Sequence, residues 1–156
     1  MSKLVKLLQK AHAGELAAYH AYQGHWESVS DPEEQLAIQK IQKDELEHAE
    51  VVSKMLHHLG SRPSFLRDTI FVVLGRALSF LCKYTGWFMP MYVAKLIEKI
   101  GVNNYYEMLE ISLTKGHPEL AFTLMQLASR EEEHRIYFEK AIKSGQEKIR
   151  QFGRRN

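Results

Sequence analysis

The sequence predicts an all-α domain, a four-helix bundle in which one additional apolar helix connects the two halves. Apolar residues recur at helical spacing along most of the 156-residue chain. Strict alternation of apolar and polar residues and the Asn-Gly or Asp-Gly pairs of tight hairpins, which indicate strands, do not occur. Length and a hydrophobic share of 45% suit one domain, which we place at residues 1–150, before a frayed basic tail at 151–156.

The first two helices are delimited by turn and capping residues. Helix 1 is predicted over residues 2–27, ahead of a polar segment. Asp31 can cap helix 2, with Pro32 at the first helical position and Glu34 three residues after the cap, which is a capping-box arrangement. Helix 2 then ends at Gly60, because the Ser-Arg-Pro segment that follows cannot continue it.

The remaining three helices follow from similar signals. Helix 3 is predicted over residues 64–84, helix 4 from 87–90 to about 115–117, and helix 5 from Pro118 to Gly145 or beyond. Short loops after helices 1 and 4 predict two antiparallel pairs, 1 with 2 and 4 with 5. Helix 3 connects the pairs, and at ~1.5 Å per residue it is about 30 Å long, enough to cross the bundle.

Two copies of one motif lie 86 residues apart, as Glu45-x-x-His48 in helix 2 and Glu131-x-x-His134 in helix 5. Residues i and i+3 share one face of a helix, so each copy directs a carboxylate and an imidazole to one point. Both copies replace apolar residues in the middle of the inward stripe of their helix, where an unpaired charge is costly. Such pairs hold two iron or manganese ions in a four-helix bundle when two further helices each add a Glu.

Register identifies those two glutamates. Glu15 lies in the inward stripe of helix 1, and Glu15 and Glu45 are each 15 residues from the centre of the turn that joins their helices. In helix 4, Glu98 lies level with Glu131, whereas Glu107 is about nine residues, or ~13 Å, out of register. We therefore choose Glu98. The predicted metal ligands are six residues on four helices, which leaves open positions on two ions: Glu15, Glu45, His48, Glu98, Glu131 and His134.

Several polar residues near these ligands have competing interpretations. Asp44 is expected to face water, with a contact to a ligand imidazole as the alternative. His12 is expected at the surface or behind a ligand, with metal ligation as the alternative. Tyr22 and Tyr105 each follow a predicted ligand Glu by seven residues, so they share its face; core packing is the default and hydrogen bonding near the ions the alternative.

Charge and cysteine content restrict the partners. A net charge of +2 and a pI near 8.6 give no argument for nucleic-acid binding. The single cysteine, Cys82, excludes an internal disulfide, and its apolar neighbours predict a small buried group. The N-terminal segment has no continuous apolar core or cleavage signal, so we expect a cytoplasmic protein.

Helix 3 and the start of helix 4 are unusually rich in large apolar residues. Cations interrupt the stretch, so it contains no uncharged run of 18 residues and is not expected to span a membrane. It is either a crossover buried against the bundle or an exposed face that contacts a membrane surface or a second copy of the chain. We favour the exposed face, because these aromatic and apolar residues exceed what one crossover buries: Phe71, Phe80, Trp87, Phe88, Met89, Met91 and Tyr92.

Residues 13–141 resemble the demethoxyubiquinone hydroxylases, a family within the ferritin-like superfamily. The resemblance rests on the segments AGE (13–15), IQKIQKDELEH (38–48), LGRAL (74–78) and REEEH (130–134), and on Glu98 followed by Tyr105. The order Glu, Glu-x-x-His, Glu, Glu-x-x-His is common to many ferritin-like proteins. The 30-residue interval from Glu15 to Glu45 and the apolar third helix are more particular to this family.

The resemblance implies a ferritin-like fold and an oxidoreductase of ubiquinone biosynthesis. The six residues would bind two irons, with manganese as the alternative, and use O2 to hydroxylate the ring of a demethoxyquinol taken from the membrane. Tyr105 matches a family tyrosine near the metal site and is the candidate catalytic residue. The protein would then be peripheral on the cytoplasmic face of the membrane, contacting it through helix 3.

Two other functions fit the same residues. A rubrerythrin-like or ferritin-like protein would reduce peroxide or oxidise iron with these ligands and without an organic substrate, although no Cys-x-x-Cys pair of the rubredoxin type occurs. A metal-free helical interaction module would close its interior with carboxylate–imidazolium pairs. Metal analysis and quinol-dependent oxygen uptake distinguish the three.

Overall fold

The computed structural model describes residues 2–153 and confirms the all-α prediction, since no strand occurs in that range. Each predicted helix is present, with ends within a few residues of the expected ones. The elements are α1 (Lys3–Ser28), α2 (Pro32–His58), α3 (Phe65–Cys82), α4 (Phe88–Thr114), a 3-10 turn (Pro118–Leu120) and α5 (Ala121–Gly153).

Helix α2 begins where the sequence predicts, but its capping box is only half formed. The Asp31 carboxylate accepts hydrogen bonds from the backbone N–H groups of Glu33 and Glu34, at 2.9 and 3.4 Å. The reciprocal bond from the Glu34 side chain is missing, because that carboxylate accepts instead from Nε1 of Trp87 at 2.8 Å. A tertiary contact has thus replaced a local one.

The fifth helix begins three residues later than expected and extends into the segment that was predicted to be frayed. Pro118 opens the 3-10 turn rather than α5 itself, and α5 then continues past Gly145 to Gly153. The segment 151–156, predicted to be frayed, is therefore helical as far as Gly153. Its last three residues lie outside the described part of the chain.

The predicted ligand residues lie between two apolar clusters, one towards each end of the bundle. Helix α1 shows this arrangement, since Leu4 and Leu8 belong to one cluster, Ala18 and Tyr22 belong to the other, and Glu15 lies between them. Helix α1 packs against α2, and α4 packs against α5, as the short loops predict. Apolar packing above and below therefore holds the middle of the bundle and shields it from water.

Helix α3 packs on the outside of α1 and is largely exposed. Gly75 is the one buried residue of α3, and it lies so close to α1 that a side chain there would meet the backbone of Ala17. Gly24 of α1 approaches the backbone of Ser79 in the same way. The remaining face of α3 exposes large apolar side chains to solvent: Phe65, Leu66, Ile70, Val73, Leu74, Leu78, Phe80 and Leu81. A crossover buried against the bundle is thus not what this chain forms.

No helix within residues 2–153 combines the length and the apolarity needed to cross a membrane.

Candidate metal centre

The six predicted ligands lie together in the middle of the bundle, and each is at most 6% exposed. Their positions follow from the apolar stripes of α1, α2, α4 and α5, in which each ligand occupies an inward slot. Burying so many ionisable groups costs several kcal/mol for each unpaired charge, so the arrangement calls for compensating cations.

The ligand atoms form two overlapping sets, in each of which all the atoms lie within 4.8 Å of one another. One, which we call the Glu15–His48 set, contains Glu15, Glu45, His48 and Glu131. The other, the Glu98–His134 set, contains Glu45, Glu98, Glu131 and His134. Glu45 and Glu131 belong to both sets, which is the arrangement expected of carboxylates that bridge two neighbouring ions.

Buried ligand atoms without hydrogen-bond partners face this centre. Nδ1 of His48 lies 2.8 Å from Oε1 of Glu131, and Nδ1 of His134 lies 3.1 Å from Oε1 of Glu45, yet none of these atoms has a partner in hydrogen-bond geometry. Oε2 of Glu98 is likewise buried without a partner. Unpaired buried atoms are rare in native proteins, and their convergence fits donors aimed at a metal rather than at each other.

The carboxyl groups are electrostatically strained without such an ion. Burial and then the neighbouring Glu131, Glu98 and Glu15 carboxylates raise the pKa of Glu45 well above its usual value. Burial and the Glu15 and Glu98 carboxylates do the same to the pKa of Glu131. Burial also raises the pKa of Glu15. A divalent cation among these groups would stabilise their ionised forms.

The two imidazoles have different surroundings. Burial lowers the pKa of His48 to about 4, with repulsion from His134 and Arg130 adding to the effect, so its ring is neutral and its Nδ1 can ligate a metal. Burial also disfavours the charged form of His134, but the carboxylates of Glu98 and Asp44 outweigh it and raise the pKa. Nε2 of His134 lies 3.1 Å from Oδ2 of Asp44.

Two tyrosines donate hydrogen bonds to Glu15 and Glu98, the two glutamates that belong to one set only. The Tyr22 hydroxyl of α1 donates to Glu98 of α4, and the Tyr105 hydroxyl of α4 donates to Glu15 of α1. Burial and the nearby carboxylates raise the pKa of both phenols well above the usual value, so both stay protonated and act as donors. Hydrogen bonding at the site, the alternative interpretation of these tyrosines, is what the structure shows.

The structure also decides between the two interpretations of Asp44 and rejects metal ligation by His12. Asp44 does not face water: it is 9% exposed and contacts the His134 imidazole and Nε of Arg130, the latter at 3.4 Å. His12 is not in the ligand cluster, because its Nδ1 lies 3.0 Å from Asp68 and fastens α1 to α3. Cys82 is a free thiol and only partly buried, against the expectation of a buried group.

The two glutamates of helix 4 lie where their register predicts. Glu98 is fully buried in the centre, whereas the Glu107 side chain is 44% exposed and pairs with Lys3 at 2.8 Å on the surface. Lys95, which interrupts the apolar stripe of helix 4, is accommodated because its ammonium lies 5.3 Å from the centre of the Tyr92 ring.

A cavity of about 250 Å³ leads from α3 to the Glu15–His48 set. Its inner wall contains Glu15, Glu45, Glu131 and Tyr105, and apolar side chains of α1, α3 and α4 form most of the rest. The sequence reasoning missed two residues here, Asn104 and Gly101. A side chain at Gly101 would meet the Glu131 carboxylate, and its position one turn after Glu98 was the available signal.

The centre fits a pair of metal ions. Four carboxylates and two imidazoles are the donors that iron and manganese accept in four-helix bundles. The buried unpaired ligand atoms and the shared Glu45 and Glu131 support two ions rather than one.

A family model described as "Ubiquinone biosynthesis protein COQ7" matches residues 2–152. No curated protein sequence matches the chain at a significant level.

Proposed function

The chain belongs to the COQ7 family of ubiquinone biosynthesis proteins, and from that premise we propose that it is a di-iron monooxygenase that uses O2 to hydroxylate the ring of a demethoxyubiquinol-type quinone. The observation that carries the proposal is the contact between the ligand cluster and an apolar cavity. An iron oxidase or a peroxidase needs the ligands but has no need of an apolar chamber for an organic ring.

The residues of the centre would hold the irons and leave room for a reactant. Glu45 and Glu131 would bridge the ions, with Glu15 and His48 completing one side and Glu98 and His134 the other. Two irons, when bound, supply the activation of O2 that side chains cannot provide. Oxygen-rich ligation suits that chemistry, because hard donors stabilise oxidised iron.

The cavity is suited to a substituted aromatic ring. At about 250 Å³ it exceeds the roughly 150 Å³ that accommodates benzene in an engineered apolar cavity. Phe71, Leu74 and Leu78 of α3 close one side of the chamber. Exclusion of water from this space would favour a ring over solvent and protect reactive species from hydrolysis.

Tyr105 lies where the chamber meets the ligands. Its hydroxyl donates to Glu15, and both residues line the cavity. A ring hydroxyl entering the chamber would meet this pair, so Tyr105 can hold a proton next to the reacting ring and keep Glu15 oriented. The Asn104 side chain lines the same wall and offers an amide to a ring oxygen.

The exposed face of α3 supports contact with a membrane surface. Leu74 and Leu78 of that helix line the chamber and are also exposed, at 52% and 36%, so a lipid-soluble ring would have a short route from the bilayer to the centre. Exposed Arg76 and Lys83 favour anionic head groups. The protein would thus be peripheral on the cytoplasmic face, and a second copy of the chain is the competing occupant of this face.

The direct test is aerobic incubation of the iron-loaded protein with a reductant and a demethoxyquinol, followed by mass measurement of the quinone. We expect the mass of one added oxygen atom. Glu45→Ala and Glu131→Ala should abolish the product, whereas the control Glu107→Ala, which removes an exposed Glu of α4, should leave it unchanged. Full activity in the first two variants contradicts the proposal, and rapid consumption of H2O2 without a response to quinol would favour the peroxidase function.

Membrane contact is tested by sedimentation with anionic vesicles. Val73→Asp places a charge on the exposed face of α3 and should reduce vesicle binding. Leu36→Asp is the matched control, because Leu36 is also an exposed apolar residue but lies on α2. Equal binding by both variants, or a change of oligomeric state in Val73→Asp alone, would contradict membrane contact through α3.

A further inference from the structure

The centre is built from two halves with the same pattern. Helices α1 and α2 supply a Glu and a Glu-x-x-His, and α4 and α5 supply the same groups again. The cross-contacts are reciprocal too: His48 approaches Glu131 while His134 approaches Glu45, and each of the two tyrosines binds the carboxylate of the other half. Two equal ion positions would follow if nothing broke this symmetry.

The residue that precedes each shared glutamate breaks it. Asp44 precedes Glu45, and Arg130 precedes Glu131, so equivalent positions carry opposite charges. Asp44 accepts from Nε2 of His134 at 3.1 Å, and Arg130 contacts the same Asp44 oxygen at 3.4 Å. Within residues 2–153, no carboxylate pairs with Nε2 of His48.

A carboxylate behind a ligand imidazole has two consequences. It fixes the ring orientation and the tautomer, so that Nδ1 faces the centre with its lone pair, and it makes that nitrogen a stronger donor. Removing such a partner typically weakens metal binding by about 10- to 100-fold. His134 has this support and His48 lacks it.

The cavity breaks the symmetry a second time, and independently. Its wall includes Glu15 of the Glu15–His48 set and the two shared glutamates, but neither Glu98 nor His134. Tyr22, which binds Glu98, lines a separate cavity of about 170 Å³ towards the end of α3. Three of the four residues of the Glu15–His48 set thus line the chamber, whereas the Glu98–His134 set reaches it only through the shared Glu45 and Glu131.

We infer that the two ion positions have different tasks: the Glu98–His134 set, supported by Asp44, binds the first ion tightly, and the Glu15–His48 set binds the second ion more weakly, at the chamber where a reactant enters. Asp44 is thus a positioning residue for His134, the one ligand imidazole to which it is hydrogen-bonded within the described residues. The inference rests on the two-ion centre of the proposed function but not on its substrate.

Titration of the metal-free protein with Mn(II) tests the order of binding. Calorimetry should give two steps separated by at least about tenfold in Kd, as the range for a missing carboxylate partner implies. Electron paramagnetic resonance should show the six-line signal of an isolated Mn(II) at the first equivalent, and the broad signal of a coupled pair at the second.

Variants then identify which set fills first. Asp44→Asn should weaken the first step by about 10- to 100-fold and leave the second nearly unchanged, so that the two steps merge. The matched control is Glu47→Gln, which removes an exposed negative charge from the same helix and should leave both steps in place. His48→Gln should remove the second step only, whereas His134→Gln should remove the tight step.

The outcomes separate this inference from the proposed function. A single cooperative step in the natural protein, or a weaker second step in Asp44→Asn, overturns the inference. Neither result contradicts the proposed function, because the mass of the quinone product tests that function separately. Loss of the tight step in His48→Gln rather than in His134→Gln overturns it as well, even if Asp44→Asn fails to fold. Ordered binding without hydroxylation of a demethoxyquinol supports the inference and contradicts the proposed substrate.

Discussion

The interior of the bundle and the outer face of α3 reverse the usual distribution of polarity. The bundle buries four carboxylates and two imidazoles in its middle, whereas α3 exposes Phe65 at 86% and a row of aliphatic side chains beside it. Ordinary cores exclude charge, and large exposed apolar patches indicate an interaction surface. The difference teaches that neither region has the polarity expected for its position: the interior holds ionisable groups that could bind a metal, and the outer face holds apolar side chains.

The two regions also differ in the contacts that hold them in place. In the interior, two apolar clusters and reciprocal hydrogen bonds hold the charged groups in place. The outer helix is attached to the bundle by close backbone contact with α1 at two glycines and by the His12–Asp68 pair. The interior is thus destabilised by repulsion among buried carboxylates, and the outer face of α3 is destabilised by the exposure of apolar side chains to water.

The largest expected effect is the increase in the free energy of unfolding when metal binds in the interior. At a free Mn(II) concentration about 1,000 times Kd, each ion should raise the free energy of unfolding by about 4 kcal/mol. Glu45→Gln should lose most of this gain. Denaturant unfolding with and without metal measures it.

The same variant should be more stable than the natural protein when both are metal-free, by roughly 1 to 3 kcal/mol at pH 7.5. The pKa of Glu45 is raised above 4.5, so its contribution to stability falls as the pH rises above that value, and an amide avoids the loss. Glu107→Gln, at the surface, should change neither quantity. A metal-free Glu45→Gln protein less stable than the natural one would show that the interior is not strained.

The attachment of α3 should be the next most sensitive feature. Gly75→Ala places a methyl group against the Ala17 backbone, which cannot move aside as a side chain can, so we expect a loss of roughly 3 kcal/mol. Gly14→Ala is the matched control: nothing lies within 4 Å of the added atom, and the higher helix propensity of alanine should stabilise α1 by up to about 1 kcal/mol. Equal effects of the two substitutions would mean that α3 is not packed closely on α1.

A pH-dependent effect is expected from His25, which lies outside the ligand cluster. Burial lowers its pKa to about 4 from 6.5, so it is neutral in the folded state and contributes stability that is present above pH 6.5 and lost as the pH falls towards 4. At pH 5 the loss should be about 2 kcal/mol.

His25→Phe keeps an aromatic ring beside Tyr22 and Phe138 and should remove this part of the pH dependence. The comparison is made on metal-free protein by denaturant unfolding at pH 7 and pH 5. His57→Phe, at an exposed histidine, should behave like the natural protein. If His25→Phe keeps the full pH dependence, protonation of His25 does not oppose folding.

The smallest effect on the free energy of unfolding should come from a substitution on the exposed face of α3. Val73→Ser on α3 should change the free energy of unfolding by less than about 0.5 kcal/mol, whereas the same substitution at Val52 in the core should cost roughly 3 kcal/mol. Thermal unfolding at two protein concentrations provides the measurement. A large, concentration-dependent loss in Val73→Ser would show that a second copy of the chain covers this face.

Most of the fold, and the meeting of the six predicted ligand residues in one buried cluster, could be predicted because they depend on local periodicity and on register. Turns and apolar spacing define the helices, and the rise per residue is regular enough to choose Glu98 over Glu107. Asp44 was not predicted correctly, because its partner lies 90 residues away on another helix and leaves no mark on its own helix. The Glu34 side chain escaped prediction for the same reason, since its contact with Trp87 is tertiary.

The sequence predicted an exposed face on helix 3, and the structure has one, but the contacts that hold α3 on the outside of α1 could not be predicted. An apolar helix gives the same periodic signal whether it packs inside a bundle or lies outside it. The deciding contacts are the approach of Gly75 to Ala17 and of Gly24 to Ser79, and these depend on how two helices cross. Composition showed that the helix was more apolar than one crossover needs, but not which side would stay exposed.

The narrow attachment of α3 also has a consequence for the order in which the protein opens. A helix that packs along one side only, on α1, can separate and return without disturbing the four bundle helices. Hydrogen–deuterium exchange should then divide the chain into two cooperative units, with the amides of α3 exchanging through a low-energy opening and those at the centre of α2 and α5 only through global unfolding. Each opening of α3 would remove the wall that Phe71, Leu74 and Leu78 form, so a molecule bound in the chamber would leave faster during an opening than from the closed bundle.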